Sequence, residues 1–152
     1  MPDKTKIVWD VLLKLTNRYK EEAETCLKAG AYYAALVSIR AALEAALLAR
    51  FLLECFDLPE EELRKAGVKV IDDVTIEIAG RFYLDDLIEA VHFLGLITKQ
   101  GREAAHRIRE WGNKIHATRV ANNNSLPKIG RRNVRARLKD LDFVMAQLLR
   151  TL

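Results

Sequence analysis

The sequence predicts an all-α fold, a helical bundle of about five main helices, and three observations carry that prediction. Half of the 152 residues are hydrophobic while Gly and Pro number only seven and three. That is too little turn chemistry for a β-sandwich and too much apolar matter for disorder. Long stretches are built from Ala, Leu, Glu, Lys and Arg, which favour helices. Apolar positions recur at steps of three and four along most of the chain. The length fits one domain over residues 1–152 with a core of its own.

A first helix is expected over 5–29, where Ile7, Val8, Val11, Leu12, Leu15, Tyr19, Ala23 and Leu27 mark one face. Thr16-Asn17 is a plausible cap that would break it, and Gly30 ends it. Residues 31–56 form a long helix that is apolar almost all round, the pattern of a bundle's central member. Arg40 and Glu44 stand one turn apart on it and read as a buried or half-buried ion pair. Asp57 to Glu60 reads as a capping box with Pro59 in the first turn, and Gly67 closes that short helix. In "VKVIDDVTIEIAG" the β-branched residues alternate. Val74, Ile76 and Ile78 share a face and Asp72-Asp73 could turn, so a short hairpin or extended excursion is expected near 68–79. Helical periodicity resumes over 82–95 and ends at Gly95. Thr98 caps a helix expected over 99–119. "ANNNSLPKIGRR" is a polar loop, and Val134, Leu138, Leu141, Met145 and Leu148 mark a last helix.

Charge is divided unevenly. Up to Gly95 there are 12 Lys and Arg against 17 Asp and Glu, a net −5; from Leu96 onward the count is 13 against 4, a net +9. A basic final third on an acidic body suits a polyanion such as nucleic acid, or a surface that pairs with the acidic half. Cys26 and Cys55 lie in apolar helical stretches and read as small core fillers. The start MPDKTK lacks a signal-peptide pattern. The most apolar run, "AALEAALLARFLLECF", is interrupted by Glu44, Arg50 and Glu54 and is too short to span a bilayer. A soluble, cytoplasmic chain without a membrane partner is therefore expected. Asp72-Asp73 and Asp85-Asp86 lack further ligands at suitable spacing, so no metal and no cofactor is expected.

The stretch "HRIREWGNKIHAT" carries the chemistry. On a helix turning about 100° per residue, with Ile108 at zero, Arg109 falls at about 100° and His116 at about 80°. On that projection they lie side by side on the shoulder of a stripe made by Ala105, Ile108, Gly112 and Ile115. Asn113 lies just beyond. Gly112 costs about 1 kcal/mol relative to Ala in a helix, so its place on the stripe implies a close neighbour, from this chain or a second subunit. Trp111, on the opposite shoulder, could stack a base but better suits a helix–helix groove. The Arg-to-His spacing alone says little, because 14 arginines and three histidines make it a common coincidence. His92 and His106 lack such an Arg and read as structural or solvent-exposed.

Two longer blocks add weight: "EEAETCLKAGAYYAALVSIRAALEAALLARF" at 21–51, and "LIEAVHFLGLITKQGREAAHRIREWGNKIHA" at 87–117. In both, the chain resembles the HEPN superfamily, in particular a widespread prokaryotic branch with an Arg-x6-His (R..GN..H) signature. HEPN proteins are helical bundles that often dimerise. In their ribonuclease members an Arg, four to six residues and a His lie in a cleft between two subunits. The resemblance implies a homodimer, packed partly through the helix bearing Gly112. It further implies a metal-independent endoribonuclease or RNA-binding domain of a toxin, phage-defence or stress system, with RNA and an antitoxin or regulatory protein as partners. Its catalytic residues would be Arg109, Asn113 and His116. Glu110 departs from the signature, which often places a polar residue directly after its Arg. In that role His116 would move the proton of a 2′-OH, Arg109 would stabilise charge on the phosphate, and Asn113 would orient them. Lys114, Arg119, Lys128, Arg131 and Arg132 would hold the RNA backbone. The alternative is a non-catalytic dimerisation or regulatory module, in which protein partners saturate both Arg109 and His116.

Overall fold

A helix with no polar face has nothing to offer water on any side, and its place is the middle of a bundle. A computed structural model describes residues 2–55, 57–65, 68–70, 76–78 and 83–149, with side chains over 9–55, 57–65 and 83–149. Among these, seven α-helices occur in chain order: α1 (Pro2–Lys28), α2 (Tyr32–Cys55), α3 (Glu60–Lys65), α4 (Leu84–Phe93), α5 (Lys99–Asn113), α6 (Ala117–Asn123) and α7 (Arg131–Leu149). The fold is all-α, with five long helices and two short ones. α2 is the central one and touches α1, α4, α5 and α7. Its Leu36, Ile39, Leu43, Leu47 and Phe51 are fully buried against Leu87, Ile88 and Val91 of α4, Ile108 of α5, and Leu141 and Leu148 of α7. No helix among the described residues is long and apolar enough to cross a membrane.

Between α3 and α4, β1 (Val68–Val70) pairs antiparallel with β2 (Ile76–Ile78), Val68 opposite Ile78. This is the expected excursion; its Asp72-Asp73 turn and Val74 lie outside the described residues, as does Gly67. Gly30 and Gly95 stop α1 and α4 with φ of +75° and +74°. Each is followed by an amide that reaches five residues back, from Ala31 to Cys26 and from Leu96 to Val91, the helix-ending geometry that favours glycine.

Several expectations need correction. α1 runs unbroken through Thr16-Asn17, because the Thr16 hydroxyl donates to the Leu12 carbonyl at 2.8 Å. Satisfied in this way, Thr16 is buried, while Val11 and Leu15 of the expected apolar face are exposed. The capping box of α3 is not formed; the Pro59 carbonyl accepts from Glu62 and Leu63 instead. Arg40 and Glu44 make no ion pair. The buried arginine of α2 is Arg50, which donates to the Leu148 carbonyl of α7 at 2.8 Å and meets Glu54 at 2.6 Å. The polar loop is also shorter than expected, since α6 takes up residues to Asn123.

Candidate functional site

The helix expected over 99–119 begins as foreseen and stops early. Thr98 caps α5 by accepting from the Gly101 amide at 3.1 Å, and Gln147 of α7 holds Thr98 in turn through its amide group. At the other end come Gly112 and Asn113, two weak helix formers in succession. There the bonding tightens: Ile115 N–H donates to Gly112 and His116 N–H to the Asn113 carbonyl at 3.2 Å. His116 is extended, with φ −66° and ψ 134°, and stands immediately before α6. Arg109 therefore lies within α5 and His116 outside it, at the head of α6, and the single-helix projection that set them side by side does not hold.

What meets His116 is Arg40 of α2. Its Nη1 lies 2.9 Å from His116 Nε2. A guanidinium only donates, so Nε2 is the acceptor and the ring proton sits on Nδ1. Gly112 permits this approach, because a Cβ there would stand 2.8 Å from Arg40 Cδ. The close neighbour implied by that glycine is thus part of the same chain, and Gly112 gives no support to a subunit contact.

His116 is exposed and borders two cavities. One, of about 340 Å³, is lined by Val37, Arg40, Ala41, Glu44, Gly112, Ile115 and His116. The other, of about 280 Å³, is lined by Asn113, His116, Thr118, Arg119 and Asn122. Arg109 lines neither. Its Nε donates to His106 Nδ1 at 3.1 Å and its Nη2 meets Glu110 at 2.9 Å. His106 in turn reaches Glu89 of α4 at 2.8 Å through Nε2, and Arg102 grips the same carboxylate with bonds of 2.6 to 3.0 Å. Hydrogen bonds from Arg102 and His106 hold the Glu89 carboxyl down at about 2, against the opposing effect of burial. Glu110 also meets Arg119 at 3.3 Å, so two guanidinium groups neutralise this acid.

The other candidates are scattered. Asn113 borders the smaller cavity with His116 and braces it through its own carbonyl. Lys114 lies over the Trp111 ring, 3.7 Å from its centre, and that ring packs against the core. Lys128, Arg131 and Arg132 are exposed and form no ion pair among the described residues. The Tyr33 hydroxyl donates to the Pro127 carbonyl at 2.7 Å, which ties the loop carrying Lys128 to the start of α2. His92 is structural, its Nδ1 3.2 Å from the Ile97 carbonyl. Among the described residues no group of His, Cys, Asp and Glu is arranged to hold a metal; Asp85 instead accepts from the Asp86 amide.

Sequence reasoning missed Arg40 and Glu44 as site residues. Their one-turn spacing suggested that they served each other, and no local pattern shows that Arg40 reaches across to α5 instead. No protein-family model, curated protein or solved structure matches this chain.

Proposed function

We propose that this chain is a HEPN-like RNA-binding or metal-independent endoribonuclease domain, with His116 as its proton-transfer residue and Arg40 as its phosphate ligand. One observation carries the reading: an exposed imidazole between two cavities, with a guanidinium 2.9 Å from its unprotonated nitrogen. RNA brings its own nucleophile. The 2′-oxygen forms a bond to the adjacent phosphorus, the bond from phosphorus to the 5′-oxygen breaks, and a 2′,3′-cyclic phosphate results. A base must take the 2′-OH proton and an acid must protonate the leaving 5′-oxygen.

In the free chain the Nε2 lone pair of His116 is engaged by Arg40. An arriving phosphate is the stronger partner for a guanidinium, because both groups are charged. Arg40 therefore turns to the phosphate, stabilises the charge that builds there, and frees Nε2 for the 2′-OH. A second copy of the chain, in a homodimer, would supply the acid from its own His116. Lys128, Arg131 and Arg132 provide exposed cations for the backbone. Arg109, tied to His106 and Glu110, holds the frame, and Asn113 positions His116 through the main chain. The setting, a toxin or phage-defence system with an antitoxin or regulatory partner, rests on the sequence resemblance alone.

Cleavage of single-stranded RNA in a metal chelator is the direct test. His116→Ala is expected to lower the rate by about 10²-fold or more, and Arg40→Ala by about 10²-fold, while both variants keep their helical content. Equal cleavage by the parent and His116→Ala, or none by either, would remove the enzymatic reading. The engagement of Arg109 by His106 and Glu110 within the chain favours a second reading, a non-catalytic dimerisation or regulatory module. That reading predicts that both variants leave RNA untouched and that partner binding survives them.

A further inference from the structure

Glu44 is left without a partner in a place where a partner is expected. It follows Arg40 by one turn of α2, the spacing at which opposite charges pair, yet Arg40 is turned away to His116. The carboxylate is exposed and makes no hydrogen bond or ion pair among the described residues. It lies at the larger cavity, whose apolar wall is made by Val37, Ala41 and Ile115. Val37, 55 % exposed, adds open apolar surface to that wall. The volume of about 340 Å³ is at the small end of ligand sites.

We infer that this cavity binds a guanine base, with Glu44 reading its Watson–Crick edge. A flat ring fits the apolar wall, and a carboxylate offers two adjacent acceptors to two adjacent donors. Among the four RNA bases only guanine presents such a pair, N1–H beside the 2-amino group. Adenine and cytosine set a ring-nitrogen acceptor beside their amino group, and uracil flanks its N–H with two carbonyl oxygens, so each would aim a lone pair at Glu44. Single-stranded RNA is read in this way, by unstacked bases bonded along their edges. The inference rests on the reading of His116 and Arg40 as the site of the reacting phosphate, which puts the base of a flanking nucleotide within reach of the cavity.

Binding of the four 5′-mononucleotides, followed by titration calorimetry, tests the pocket without any cleavage. Guanosine monophosphate is expected to bind about 10-fold or more tightly than the other three. Inosine monophosphate, which lacks the 2-amino group, should fall between. Glu44→Gln, at an exposed position that tolerates the change, should abolish the preference. Equal affinities, no measurable binding, or a preference that survives Glu44→Gln would overturn the inference. RNA lacking guanine and cleaved as fast as RNA containing it would likewise overturn the base assignment, yet leave the role of His116 standing. Guanine preference in a chain that cleaves no RNA would uphold the pocket and remove the nuclease reading.

Discussion

A missing methyl group at Gly112 decides where Arg40 goes. Replacing that glycine with alanine favours the helix by about 1 kcal/mol but sets a carbon 2.8 Å from Arg40 Cδ, so the arginine side chain has to move. Gly112→Ala is therefore expected to fold with a melting temperature within a few degrees of the parent. Its RNA cleavage should fall, on the order of 10²-fold, because small misplacements of a charge-stabilising group are costly. Thermal unfolding and cleavage rates measured side by side check this; a large loss of stability with cleavage intact would contradict it. The glycine's need for a close neighbour was legible in the sequence, since Gly inside a packing stripe has few other uses. The neighbour's identity was not, because a helical projection gives the direction of a side chain and not what meets it. Extending that projection past Asn113 also misplaced His116.

Ion pairs join the elements unequally. Arg102 and His106 of α5 clamp Glu89 of α4, and the Glu89 carboxyl sits at about 2 instead of an ordinary 4.5. A lowered carboxyl pKa contributes stability that is fully present above about pH 4.5 and is lost as the pH falls through about 2. With 47 % of the Glu89 side chain exposed, solvent screening leaves this on the order of 1 kcal/mol. The urea midpoint should fall across that acid window, and Glu89→Gln should flatten the fall. The Arg50–Glu54 pair is more deeply placed, with the arginine side chain only 7 % exposed. Removing Glu54 leaves a buried cation with the Leu148 carbonyl for company, so Glu54→Ala is expected to cost about 3 kcal/mol. Arg50→Met, which removes the cation and keeps its apolar bulk, should cost less. Denaturant titration of both variants checks the order, and the reverse order would show that Arg50 is not buried as described.

At the scale of the molecule, the bundle was readable because apolar periodicity and glycine stops are local. Residues 31–56 could only be central, and Gly30 and Gly95 closed their helices as foreseen. Contacts between distant residues left no such trace: Tyr33 to Pro127, Arg50 to Leu148 and Gln147 to Thr98 each join residues far apart in sequence. The core they enclose hides Cys55, whose thiol is pushed up to about 12, first by burial and then by the charge of Glu54. A thiol so protonated and covered is a poor nucleophile. A thiol-reactive dye should label the half-buried Cys26 first and reach Cys55 only on unfolding, which mass spectrometry of the labelled chain would show.

α6 buries none of its seven residues. Hydrophobic anchorage is what makes a segment expensive to open, and here only the half-buried Val120 supplies any. Its backbone should exchange amide hydrogens with solvent well before those of α2 or α5. The imidazole at its head is thus joined to a weakly anchored helix and held by the Arg40 hydrogen bond until something large and charged draws that arginine away.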